Sequence, residues 1–221
     1  MVNKETLIIA LKLFLITALT ALLLAVVNKV TAPVIASNNE ALAIESQKEV
    51  LPEADDFISG EAPTIEAKGV TIDKVNVGVK KADGSVVGYV VTATSSEGYG
   101  GALKVMVGIN KDLKVNRVKI MESAETAGLG ANASKPKFID QFIGKENQLK
   151  VVKGEAKDDE ISAIASATIT SKAVTSCVNA AITVAKEKHE SNELLKTAEK
   201  LEEIKRETEK QISVDEGGDA L

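Results

Sequence analysis

The sequence predicts an α+β protein: an N-terminal transmembrane helix, then a domain with an antiparallel sheet and flanking helices, ending in a long C-terminal helix. Three patterns carry this expectation. An apolar run near the N-terminus is long enough to cross a bilayer, the middle of the chain alternates apolar and polar residues with period two, and the stretch after residue 170 repeats apolar residues at helical spacing. With 221 residues, 44% hydrophobic and 27% charged, the chain has room for one ordinary domain and an appendage, and the composition of a folded protein.

Residues 6–30 read TLIIALKLFLITALTALLLAVVNKV, interrupted only by Lys12 before Asn28 and Lys29. About 20 residues span a hydrocarbon core of ~30 Å. The stretch 13–27 alone is too short, and it becomes adequate if Lys12 snorkels to the near headgroups so that the span begins around Leu7. The amino terminus, Lys4 and Lys12 precede the span, whereas Lys29 and a mixed-charge region follow it, which places the N-terminus in the cytoplasm and the rest outside. A cleaved signal peptide ending at Val34-Ile35-Ala36 is the competing reading.

Pro33 is expected to end or kink this helix, with a second, amphipathic helix over 34–51 and a loop marked by Pro52, Gly60 and Pro63. Val70, Ile72, Val75, Val77 and Val79 then alternate as in a half-buried strand. Asp83-Gly84 signals a hairpin, returning over 86–94, and a second pair, 103–109 and 114–120, flanks Asn110-Lys111-Asp112. Ser134 and Pro136 mark a helix with Phe138, Ile139, Phe142 and Ile143 on one face and Gly144 at its end. Val151 and Val152 suggest a short strand. Val174, Val178, Ile182 and Ala185 fall on one face of a helix that should cover the sheet. From Lys186 onward seven Lys or Arg face eleven Asp or Glu, and the apolar repeat Leu194, Leu195, Ala198, Leu201, Ile204 continues inside this charge, giving a solvated helix or a docking segment. The expected organisation is an anchor over 1–30, a helical linker over 31–63, a folded domain over 64–185 and a charged helix and tail over 186–221.

Composition narrows the function. Aromatics are 3%, Trp is absent and the net charge is -5, so neither a stacking platform nor a basic surface for nucleic acid is available. One His (His189) and one Cys (Cys177) cannot build a zinc site, an iron–sulfur cluster or a disulfide within one chain. Cys177 reads as a packing residue.

Two segments are small and polar where a ligand could sit. Ala165-Ser166-Ala167-Thr168-Ile169-Thr170-Ser171-Lys172 leads into the long helix, where free backbone N–H groups favour an anion. Ser166, Thr168 and Thr170 can donate to it, and Lys172 could balance its charge, although a plain helix cap by Thr170 or Ser171 would use the same residues. Glu125-Thr126-Ala127-Gly128-Leu129-Gly130 follows a strand, its glycines permitting a tight turn that presents Leu129 and amides to a ligand. A third cluster, Gly98-Tyr99-Gly100-Gly101, precedes a strand, as a ligand loop or a β-bulge would.

Taken together in this order and spacing, these three motifs resemble the FMN-binding domain family and, within it, the G subunits of the Rnf ion-translocating electron-transport complexes. The resemblance covers roughly residues 6–185. It implies an FMN-binding domain whose covalent FMN is joined by a phosphoester to the Thr of an S/T-G-A-T sequence, here Thr168, by a flavin transferase. The residues Gly98, Tyr99, Gly100, Glu125, Thr126, Leu129, Ser166, Ala167, Thr170 and Ser171 are then expected around the cofactor: the turn from Ser166 to Ser171 on the phosphate, Glu125 and Thr126 on the flavin or ribityl chain, Leu129 and Tyr99 near the ring. The sequence departs from the family pattern at Ser162, where an Asp is usual, at Ala165 and Ser166, which replace S/T and Gly, and at Ala127, which replaces Pro. Asp158, Asp159 and Glu160 lie near the first of these. The implied function is an electron-transfer subunit of a membrane-bound ferredoxin:NAD oxidoreductase, with the other complex subunits as partners and the flavin domain outside the membrane. The alternatives are a free-standing extracytoplasmic flavoprotein, the C subunit of a sodium-translocating NADH:quinone oxidoreductase, and a membrane-tethered module without redox chemistry.

Overall fold

The structure, a computed structural model, describes residues 4–60, 62, 63 and 69–191. It divides into two compact units, Met1–Glu45 and Ser46–Leu221. The apolar repeat after Leu194 lies outside the described residues.

Helix α1 (Lys4–Val50) is a single helix of 47 residues. Within it Leu7–Val34, 28 residues with mean hydropathy 2.6, is the one helix among the described residues long and apolar enough to cross a membrane. At 1.5 Å per residue its length of ~42 Å exceeds the hydrocarbon thickness. Three threonines are accommodated because their hydroxyls donate back to the preceding turn: Thr17 to Leu13 O, Thr20 to Ile16 O and Thr31 to Val27 O, at 2.9–3.1 Å. Pro33 lies inside the helix and does not end it, and no separate helix begins at residue 34. Proline costs about 3 kcal/mol in a helix interior, and the helix bears that cost near the end of the apolar stretch, where Pro33 is followed by one more residue of it, Val34.

The second unit is a five-stranded antiparallel meander, β1 (Asp56–Gly60), β2 (Val70–Val79), β3 (Val86–Ser95), β4 (Leu103–Asn110) and β5 (Val115–Ser123), in sequential order. The hairpin at Asp83-Gly84 forms as expected, Gly84 at φ +70° and the Ser85 N–H donating to Asp83 Oδ1 at 3.0 Å. Strand β1 occupies part of what reads as a loop. It is an edge strand with half-exposed Phe57 and Ile58 and no apolar alternation, so only its pairing with β2, Asp56 opposite Val79, defines it.

Helix α3 (Thr168–Glu190) covers one sheet face, and Val174, Val178, Ile182 and Ala185 are all buried against Val75, Tyr89, Val91, Val105 and Val107. The expected helix after Ser134 is broken into a 3₁₀ turn (Gly130–Ser134), α2 (Pro136–Ile139) and a second 3₁₀ turn (Asp140–Phe142). Pro136 takes the first helical position, where its missing N–H is harmless. Phe138 and Phe142 meet edge to face at 5.4 Å, both buried in the main core. A parallel pair, β6 (Lys150–Val152) and β7 (Glu160–Ser162), leads into α3.

The other sheet face carries a smaller cluster of Val50, Leu51, Ala54, Val87, Val90 and Met106. Two glycines make the notch: a Cβ on Gly108 would stand 2.1 Å from the Val50 carbonyl oxygen, and one on Gly78 would stand 2.6 Å from Leu51 Cδ2. Asn116 Nδ2 donates to Val50 O at 2.9 Å, and Lys119 pairs with Glu49.

Candidate functional site

Three segments far apart in sequence converge at the start of α3. That helix opens at Thr168 with Ala167 as its cap residue and no side-chain hydrogen bond to its first amides. The hydroxyls of Thr170 and Ser171 therefore do not cap it. Free amides and the positive end of the macrodipole remain directed outward. The preceding Ser166 has φ +62°, in the left-handed region that glycine occupies without strain and other residues rarely enter. This is the position where the family pattern has Gly. The chain makes the same turn with Ser at a conformational cost of about 1–2 kcal/mol.

Beside this turn lies a cavity of about 370 Å³, lined by Tyr99, Glu125, Thr126, Leu129, Gly130 and the run from Ser166 to Thr170. The size falls within the range of about 300–1,000 Å³ usual for small-molecule sites. Its apolar walls are Tyr99, Leu129 and Ile169, which remain 72%, 43% and 52% exposed although large and hydrophobic. Its floor is polar. Thr170 is fully buried with its Oγ1 unpartnered, and Glu125 Oε2 is likewise buried without a partner. An unmade hydrogen bond on a buried group costs about 1–3 kcal/mol, and neither atom finds a partner among the described residues.

The glycines explain how the floor is built. A Cβ on Gly130 would lie 2.3 Å from Glu125 Oε2 and 2.8 Å from Thr170 Oγ1, so only glycine lets the carboxylate lie over this backbone. Glu125 Oε1 accepts the Tyr99 N–H at 2.8 Å. Gly98 and Gly100 do not line the cavity. A Cβ on Gly100 would meet the Ala124 carbonyl oxygen at 2.2 Å, and one on Gly98 the Gly101 carbonyl oxygen at 2.3 Å and Glu125 Oε1 at 3.0 Å. Both let the loop lie against residues 124 and 125, which brings Tyr99 to the rim.

Of the residues expected from the sequence, Tyr99, Glu125, Thr126, Leu129, Ser166, Ala167, Thr168 and Thr170 are brought together here. Ser171 is not. It is buried, its hydroxyl donating to Ala167 O at 2.9 Å and accepting the Ile164 N–H at 3.0 Å, so it fastens the turn and has no donor left for a phosphate. Lys172 is exposed and lines no part of the cavity. Gly130 and Ile169 also line the cavity, although the sequence does not single them out as cofactor residues. Both stand inside the motifs, but what they contribute, a missing Cβ and an apolar wall, depends on neighbours remote in sequence. Ser162, in place of the usual Asp, donates to Gly154 O at 2.7 Å and accepts the Ala156 N–H at 3.1 Å, so it clasps the loop between β6 and β7.

Aromatic and aliphatic walls over a polar floor, beside an anion-favouring helix start, suit a binding domain for a flat ring system that carries a phosphate. Residues 98–183 match the FMN-binding domain family. The G subunit of the Na(+)-translocating ferredoxin:NAD(+) oxidoreductase complex of Acetobacterium woodii is 42% identical over 182 residues, covering 78% of this chain and 87% of that protein. The G subunit of the proton-translocating ferredoxin:NAD(+) oxidoreductase complex of Clostridium ljungdahlii is 35% identical over 167 residues, 74% of this chain and 83% of that one. The crystal structure of Shewanella oneidensis NqrC overlaps 59% of this chain and 66% of its own, at 18% identity and a TM-score of 0.45. The chain belongs to the family of G subunits of ion-translocating oxidoreductase complexes, and it carries that family's FMN-binding domain.

Proposed function

We propose that this protein is the electron-carrying G subunit of a membrane-bound, ion-translocating ferredoxin:NAD oxidoreductase, with FMN esterified to Thr168 in a domain outside the membrane. The observation that supports it most is the convergence at Thr168 of a phosphate-favouring helix start, exposed apolar walls and two unpartnered buried oxygens. FMN, when bound, supplies one- and two-electron transfer, and the chain's residues set its position and surroundings. Tyr99, Leu129 and Ile169 shield the ring. Glu125 Oε2, Thr126 and Thr170 Oγ1 take polar groups of the flavin or its ribityl chain, and the Ser166 turn holds the phosphate.

A threonine hydroxyl is a weak nucleophile, and neither His nor Cys lines the cavity to activate it. Attachment therefore falls to a flavin transferase acting on a flavin dinucleotide. The Thr168 Oγ–P bond forms, the pyrophosphate P–O bond breaks, a nucleoside monophosphate leaves and the hydroxyl proton passes to the transferase. The positive groups before the apolar span keep the N-terminus in the cytoplasm, so the domain faces the other side, where a freely dissociating FMN could not readily be replaced. The remaining subunits of the complex supply its electron donor and acceptor.

Intact mass of the denatured, natively matured chain tests this reading. One FMN adduct, joined through its own phosphate, is expected on the wild type and none on Thr168→Val. An unmodified wild type, or an adduct that persists in the variant, overturns it.

A further inference from the structure

Thr168 and Ser166 line not one cavity but two. The second, about 430 Å³, is bounded also by Lys153, Gly154 and the run from Ala163 to Ala165. The two differ in charge. Glu125 is the one charged side chain of the first, and Lys153 is the one charged side chain of the second. A phosphodiester at Thr168 carries a negative charge that the Glu125 carboxylate repels and an ammonium attracts. We infer that Lys153 is the counter-charge of the phosphate at Thr168, so that the ring lies on the Glu125 side and the phosphate oxygens turn to the Lys153 side.

This rests on the Thr168 reading above, and the placement of Lys153 is built into the fold. Lys153 directly follows β6, whose last residue accepts the Ala163 N–H through Val152 O at 2.8 Å, and Ala163 begins the segment that runs into Thr168. The next residue, Gly154, has φ +120° and is tied down by the Ser162 hydroxyl. The Lys153 ammonium makes no ion pair among the described residues. Glu155, two residues on, lines a different cavity with Lys157 and Glu160. Lys172, the cation nearest to Thr168 in sequence, lines neither of the two cavities that meet there.

The test compares full-length wild type, K153Q, K153R and K172Q, each incubated with the transferase and flavin dinucleotide at low salt. Adduct formation is followed by intact mass, and the loaded fraction of each is examined by phosphorus NMR. K153Q should load roughly five-fold more slowly, the weight of one exposed ion pair, with its phosphodiester resonance moved from the wild-type position. K153R should stay within about two-fold of wild type, and K172Q should match wild type in both readouts. Wild-type loading and an unmoved resonance in K153Q, or a loss that K153R does not restore, overturns the role of Lys153 while leaving Thr168 standing. No adduct on wild type overturns the Thr168 reading and this inference together.

Discussion

Glu125 grips Tyr99 by its backbone and leaves its ring free: the Tyr99 N–H donates to Glu125 Oε1 at 2.8 Å while the side chain remains 72% exposed. The other carboxylate oxygen is buried and unpartnered. One residue therefore anchors the loop that carries an aromatic wall and also offers an acceptor to the cavity floor, so the two functions are separable by substitution.

Glu125→Gln keeps an oxygen for the Tyr99 amide but replaces the acceptor on the floor, whereas Glu125→Ala removes both. Hydrogen exchange of the Tyr99 amide should be close to wild type in the first and roughly ten-fold faster in the second, the weight of a partly exposed hydrogen bond to a charged group. Flavin loading should fall in both. Equal exchange rates in the two variants would dismiss the anchoring role.

At Gly130 any side chain meets Glu125 Oε2 and Thr170 Oγ1 together. Gly130→Ala should cost about 1–3 kcal/mol of stability in denaturant titration, as overpacking does, and should also loosen the Tyr99 amide because Glu125 must shift. Unchanged stability with an unchanged Tyr99 amide would contradict this packing.

Ser166 holds a left-handed conformation at φ +62° without glycine's freedom. Relief of that strain outweighs the extra entropy of an unfolded glycine, so Ser166→Gly should raise stability by about 0.5–1 kcal/mol. Ser166→Ala, which keeps the strain, should not. Thermal unfolding of the two variants beside wild type measures the difference.

Cys177 is fully buried, and loss of hydration pushes its thiol from 9.0 up to about 12. Below about pH 9 folded and unfolded chains both hold this proton. Between there and about 12 only the unfolded chain releases it, so the thiol's contribution to stability falls as pH rises. Burial shifts the Tyr89 hydroxyl in the same direction and adds a slope of the same sign at higher pH. The decline of unfolding free energy between pH 8 and 10 should be shallower in Cys177→Ala than in wild type. In the folded protein at pH 8 the thiol should resist alkylation.

The apolar span, the antiparallel hairpins, the face of α3 that covers them and the three motifs of the site are legible in the order of residues alone. Each rests on local signals: a long apolar run, alternation with period two, a helical repeat, turn residues and short ordered motifs. Other features depend on contacts between segments distant in the chain. Strand β1 exists through its partner β2, α1 runs on through Pro33 to Val50, and the short helical pieces after Gly130 are fitted around Phe138 and Phe142. The same holds within the site. The sequence offered Ser171 and Lys172 for the phosphate, but one spends its hydroxyl on Ala167 and Ile164 and the other lines no part of the cavity. Whether a hydroxyl, an ammonium or a missing Cβ serves a ligand depends on what already surrounds it, and residues dozens of positions away supply those surroundings.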